Sequence, residues 1–318
     1  MKKTIVIIKD QFVNAFKPSV KAAIWLLKMM LPIMLLVSVL DYYGVVAFVS
    51  QYTAPLFNLM GLEGNAAFVF ITSCLTSIYS AIGVMALFGF DFRSVAIMAS
   101  MCLIAHNLII EGTIQSKSGA SFVGITILRI CSSLICGFFL NLVIPADMTG
   151  NLLMNVVTVK PETFTEMILM WVEASVTLIV KVLIVIFLLN TLQNILKVYK
   201  VIDLMIKYLT PLMKVLGLPN STSFLWIVAN SLGLAYGGAV IMEEISKGKI
   251  SKEDASLLHT SIAQTHSLIE DTFLFASMGI GFGWLIFPRM ILSIITVWSQ
   301  KAIRAVLHKR SSNYSLSN

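Results

Sequence analysis

The stretch QYTAPLFNLMGLEGNAAF (51–68) returns as KYLTPLMKVLGLPNSTSF (207–224), shifted by a constant 156 positions. Tyr52, Pro55, Leu56, Gly61, Leu62 and Phe68 fall on Tyr208, Pro211, Leu212, Gly217, Leu218 and Phe224. Working outward, YSAIGVM (79–85) lies over YGGAVIM (236–242). Further on, CLIAHNLIIEGTI (102–114) resembles SIAQTHSLIEDTF (261–273), and at a shift of 160 positions His106 meets His266 and Glu111 meets Asp271. Arg129 falls on Arg289, and Lys28 on Lys181. Apolar segments resemble one another by chance, but ionisable residues are scarce in such segments. Four ionisable pairs in one order therefore argue for duplication.

Composition says what kind of unit is duplicated. The chain has 318 residues, 58% hydrophobic and only 12% charged, with a mean hydropathy of +0.89. Soluble domains are about half apolar and about a quarter charged. The expected fold class is all-α: a polytopic integral membrane protein in contact with the lipid bilayer. The net charge of +7 sits at chain ends and in short connections, as positive-inside loops require, which argues against a nucleic-acid partner. Cys74, Cys102, Cys131 and Cys136 form no CxxC pair, so neither a zinc knuckle nor a disulfide framework is indicated. MKKTIVIIKDQF (1–12) has too short an apolar run for a cleavable leader.

Long apolar runs occupy about 19–43, 65–90, 94–116, 121–145, 165–196, 223–245, 254–279 and 282–306. Shorter amphipathic runs with a proline lie at 45–62 and 201–218 and suit the membrane interface. The expected organisation is an N-terminal segment 1–16, a first repeat 17–145, a connection 146–164, a second repeat 165–306 and a polar, frayed tail 307–318. Each repeat holds membrane-spanning helices, a short amphipathic helix and Gly/Ser-rich broken or hairpin helices. If every long segment crosses, the copies are parallel, and Lys197, Lys200, Lys207 and Lys214 fall outside. If re-entrant segments leave an odd number of crossings, the copies are inverted.

Polar groups at membrane depth face a cavity or a partner. His106, Glu111, His266, Glu270 and Asp271 form the candidate ion- or proton-coupling set. On a continuous helix His106 and Glu111, five apart, do not share a stripe, whereas His266 and Glu270 do. Small-residue stretches can unwind or pack closely, and they contribute Tyr79, Ser80, Asn230, Tyr236, Gly237 and Gly238; Asn107 and Ser267 flank the histidines. These eight form the candidate substrate-binding set. Lys28, Lys181, Arg129 and Arg289 are candidate charge partners of the acids or of an anionic solute. Glu166 and Glu173 read as interfacial. There is no GxSxG, HExxH or P-loop, so neither catalytic residues nor a cofactor are expected.

With these motifs in place the chain resembles the nucleoside-recognition, or gate, domain family. The likeness rests on APLFNLMGLEGNAA and TPLMKVLGLPNSTS, on SIYSAIGVM and LAYGGAVIM, and on LIAHNLIIEGT and AQTHSLIEDTF. That family includes cation-coupled nucleoside transporters, the membrane part of ferrous-iron permeases and spore-maturation proteins. The resemblance implies a transporter or permease of the cytoplasmic membrane for a small polar solute, coupled to protons or a cation, with its site between the repeats. Two alternatives stand beside it: a divalent-metal permease, and a non-transporting membrane partner in an assembly. Where iron permeases carry cysteines, this chain has Tyr79-Ser80 and Tyr236-Gly237. The choice of metal and of a homo-oligomer stays open.

Overall fold

The computed structural model describes residues 2–150, 152, 161–199 and 201–316. Residues 151 and 153–160 of the expected connection 146–164 lie outside the described residues. Those described form fourteen α-helices and one 3₁₀ turn, with no strand among them. The first seven are α1 (Lys2–Tyr42), α2 (Val45–Asn58), α3 (Ala66–Leu75), α4 (Ile78–Met85), α5 (Phe92–Ile104), α6 (Leu108–Lys117) and α7 (Phe122–Val143). The second seven are α8 (Phe164–Val198), α9 (Val201–Val215), α10 (Ser223–Leu232), α11 (Leu234–Ser246), α12 (Lys252–Thr265), α13 (Glu270–Ala276) and α14 (Phe282–Leu316). Each set reads long helix, short helix with a proline, two interrupted helices, long helix. Helix α14 continues to Leu316, through the stretch expected to fray.

Local chemistry explains the interruptions. Helices α2 and α9 stop where Gly61 and Gly217 take φ of 66° and 72°, a conformation that penalises a Cβ. Leu62 N–H and Leu218 N–H then reach back to Phe57 O and Met213 O, the left-handed termination that seats the next apolar residue inward. Leu62 and Leu218 are indeed buried, which accounts for the repeated Gly-Leu pair. Ser77 opens α4 by accepting from Ser80 N–H, while Gly233, at φ 81°, parts α10 from α11. The apolar runs 65–90 and 223–245 are therefore helix pairs, as expected of broken, small-residue segments. Asp91 and Ser251 cap α5 and α12.

Among the described residues, five helical segments are long and apolar enough to cross a membrane: Lys9–Tyr42, Phe92–Lys117 (α5 and α6 together), Phe122–Val143, Phe164–Ile195 and Phe282–Leu307. The α5–α6 span is 83% buried inside the protein, against 28–39% for the other four. It is the centre of the bundle, and the others turn one face outward. Trp25, Leu36, Ile127, Val176, Ile184 and Ile295 all stand exposed there, an apolar surface that lipid, not water, accommodates. The chain is thus an all-α, multi-pass membrane protein in contact with the bilayer.

Helix direction follows from contacts. Phe12 and Phe16 stack edge-on against Phe187, and Asn190 donates to Ser19, whereas Tyr42 meets Phe164. Helices α1 and α8 are therefore antiparallel. At one end of the bundle Arg93 donates to Asn141 O, and Asn141 donates to Leu59 O. At the other, Lys301 donates to Gly217 O, Arg304 to Glu253 O, and His259 to Ser118 O. Accordingly α5 starts at the first end and α12 at the second; α7 starts at the second end and α14 finishes there. Segments aligned in sequence run in opposite directions.

Candidate functional site

Both central helices break at their histidine. Helix α5 ends at Ile104 and α6 begins at Leu108; between them Asn107 holds φ 49°. Helix α12 ends at Thr265 and α13 begins at Glu270; between them Ser267 holds φ 52°. Non-glycine residues rarely adopt this conformation, and their clustering marks functional sites. The freed backbone is satisfied by the neighbouring hairpins. Asn107 N–H donates to Ser73 O at 2.8 Å, and Ser267 N–H to Ala229 O at 3.2 Å.

Two fully buried arginines close the broken ends. Arg129 of α7 donates through Nε to Ile104 O and through Nη2 to His106 O, each at 2.7 Å. Arg289 of α14 donates through Nε to Gln264 O at 3.0 Å and through Nη2 to His266 O. A cation at a helix C-terminus offsets the negative end of the dipole and satisfies orphan carbonyls. Each arginine therefore holds a histidine in place.

The imidazoles then meet at the centre, with ring centroids 4.9 Å apart. His106 Nδ1 bonds Cys102 O and His266 Nδ1 bonds Ile262 O, each at 2.9 Å. A carbonyl only accepts, so each Nδ1 carries hydrogen and Nε2 is left to face the acids. His106 Nε2 lies 3.3 Å from both Glu111 Oε1 and Asp271 Oδ2. His266 Nε2 lies 3.0 Å from Glu111 Oε2 and 3.2 Å from Arg129 Nη2; that nitrogen is also 2.8 Å from Glu111 Oε2. His106, His266, Glu111, Asp271 and Arg129 are all buried residues.

Of the expected coupling residues, His106, Glu111, His266 and Asp271 come together here. His106 and Glu111 touch despite their spacing because the chain between them is not helical. Glu270 turns away and accepts from Gln193 of α8 at 3.0 Å. Among the candidate substrate residues, Tyr79 and Ser80 are buried on α4. Asn107 and Ser267 form the breaks. Asn230 is buried on α10, where its Nδ2 bonds Trp226 O. Gly237 is where α11 presses on α10; an added Cβ would come 2.7 Å from the Ala229 Cα. Gly238 packs against Ile114, while Tyr236 is exposed. Arg129 and Arg289 join the cluster; Lys28 is exposed and Lys181 half-buried, both outside it. Glu166 and Glu173 are exposed on α8.

Sequence reading passed over Gln193, Ser133, Gln264 and His259. Gln264 bonds Ser132 across the halves at 2.8 Å, and Ser133 bonds Met101 O. Polar residues inside apolar runs were the available signal for all of them.

As to cation ligation, His106, His266 and Asp271 offer ligand atoms within 4.8 Å of one another. Each histidine's Nδ1–carbonyl bond is the support metal-binding imidazoles use. Arg129 works against it, since its guanidinium already occupies the His266 Nε2 lone pair.

Residues 23–126 match the family model described as Gate, nucleoside recognition. The chain is also 24% identical over 271 residues to the uncharacterized membrane protein YvoD of Bacillus subtilis (strain 168), covering 85% of this chain and 86% of the relative. No solved structure matches. The chain is a polytopic membrane protein whose first half, including His106 and Glu111 of the buried centre, is similar to the Gate, nucleoside-recognition family.

Proposed function

We propose that the protein transports a small polar solute across the cytoplasmic membrane, coupled to protons, through a site between two inverted copies of one unit. One observation carries this reading: the two halves exchange partners at the centre, His106 reaching Asp271 and His266 reaching Glu111. Carboxylate oxygens only accept, and His106 Nδ1 is already committed. Its two 3.3 Å contacts attract only when a proton lies between Nε2 and an acid. Loading that proton pulls the halves together; losing it leaves lone pair against lone pair and favours their separation. This is alternating access with the proton as latch.

Inversion is supported by the antiparallel counterparts and by charge. One end carries Lys117, Lys214, Lys247, Lys249, Lys252, Lys301 and Arg304 beside Glu243, Glu244, Glu253 and Asp254; the other carries Arg93 beside Asp41, Glu63, Asp91, Glu162 and Glu166. The basic end is cytoplasmic by the positive-inside rule. Lys207 and Lys214 then lie inside, whereas parallel copies leave them outside. In this reading α12–α13 crosses as α5–α6 does, α3–α4 and α10–α11 are re-entrant, and no catalysis is assigned.

The test uses purified protein in liposomes loaded with a pH-sensitive dye, with nucleosides and dicarboxylates added outside. The expected result is solute uptake with internal acidification, both lost in His106→Gln and Asp271→Asn. Uptake without acidification, or uptake unchanged in both variants, overturns the reading. A second reading, divalent-metal permeation, is favoured by the three converging ligand atoms. It requires metal flux lost in both His106→Ala and His266→Ala.

A further inference from the structure

Away from the histidine centre, a groove of about 580 Å³ opens between the start of α7, helix α12 and the 296–304 stretch of α14. It lies where two candidate spans meet water, since Phe122–Val143 begins there and Phe282–Leu307 ends there. Ile125, Leu128 and Ile303 line its apolar part; Ser121, Thr296, Ser299 and Arg304 bring polar groups. Arg304 Nη2 donates to Ser256 Oγ at 2.8 Å, as does Gln300 Nε2 at 2.9 Å. With two donors directed at Ser256 Oγ, its own hydroxyl hydrogen is free to be donated onward. The lining includes no Asp or Glu and carries one cation, Arg304; Lys252, Glu253 and Asp254 flank it in sequence, and Lys301 is engaged with Gly217 O.

One lining residue, His259, has a ring nitrogen that its structural contacts leave unused. His259 is 1% exposed. Its Nε2 donates to Ser118 O at 2.9 Å, so Nδ1 carries the lone pair, and that atom has no protein partner. A buried, unsatisfied acceptor is costly unless a ligand donates to it. Ser256 and His259 are one helical turn apart, about 5–6 Å between Cβ atoms.

We propose that this groove binds the headgroup of an anionic, hydroxyl-bearing phospholipid of the phosphoglycerol type. The phosphate sits at Arg304 and the Ser256 hydroxyl. A headgroup hydroxyl one turn away donates to His259 Nδ1, and the acyl chains run along Ile125, Leu128 and Ile303. Basic grooves between membrane helices at headgroup depth bind acidic lipids in this manner. The shared chemistry is a phosphate ester, so free phosphate is the competing source.

The test is native mass spectrometry of the full chain released from nanodiscs of mixed phosphatidylglycerol and phosphatidylcholine, with and without inorganic phosphate. The expected result is retained phosphatidylglycerol in preference to phosphatidylcholine, weakened about tenfold by Arg304→Gln, the loss of one charge-assisted phosphate contact. His259→Phe, which keeps an aromatic ring but removes both ring nitrogens, weakens phosphatidylglycerol but not phosphatidic acid, whose headgroup lacks the glycerol. Arg304→Gln on the rim tests the phosphate even if His259→Phe misfolds. Equal retention of both lipids, unchanged binding in Arg304→Gln, or displacement by millimolar phosphate overturns the proposal.

Discussion

The contact between His106 and Asp271 joins one half of the chain to the other, and its strength is measurable. The perturbation is a double-mutant cycle of His106→Gln, Asp271→Asn and the pair. At 3.3 Å, opposite unit charges attract by about 5 kcal/mol at an effective dielectric of about 20. Desolvation and the remaining Glu111 partner reduce the net, and contacting residues usually couple by about 0.5–3 kcal/mol. The expected coupling is about 2 kcal/mol, read as unfolding free energy in mixed micelles by denaturant titration. Each single variant leaves a buried group without its partner, so each is expected to lose more than the coupling itself. Lys28→Ala with Asp271→Asn serves as control, because Lys28 is exposed; its coupling is expected within about 0.5 kcal/mol of zero. A His106–Asp271 coupling below about 0.5 kcal/mol refutes the idea that a proton between these groups fastens the halves.

Arg289→Leu is expected to destabilise by about 3–5 kcal/mol in the same titration, because it strands the Gln264 and His266 carbonyls; Arg289→Lys recovers only part, since one ammonium cannot reproduce the fork. Gly237→Ala should cost about 1–3 kcal/mol, since the new methyl meets the Ala229 Cα at 2.7 Å and backbone must move. Gly217→Ala should cost about 1–2 kcal/mol through its left-handed conformation alone, measured as a shift in the same unfolding midpoint. On a background without the four cysteines, Lys207→Cys and Lys247→Cys should both be shielded from an impermeant maleimide in intact cells, and Glu63→Cys should react. Opposite labelling of the two lysine positions would refute the inverted arrangement.

Much of this protein is legible in its sequence because lipid removes alternatives. Backbone in hydrocarbon must be helical or covered, so apolar runs separated by lysines announce helices and their ends. The Gly-Leu pairs at 61–62 and 217–218 announce the stops of α2 and α9 through local geometry alone. The spaced polar pairs, His106 with His266 and Arg129 with Arg289, stand out because charges in such runs are expensive. What only the tertiary structure decided is how those groups meet. Periodicity assumes a continuous helix, and by that rule His106 and Glu111 point apart while His266 and Glu270 align. The breaks at Asn107 and Ser267 reverse both relations, bringing in Glu111 and Asp271 and releasing Glu270 to Gln193. Those breaks exist because Ser73 O, Ala229 O and two buried guanidiniums, remote in sequence, supply the hydrogen bonds an unwound segment needs, and no local pattern encodes a partner that arrives from another helix.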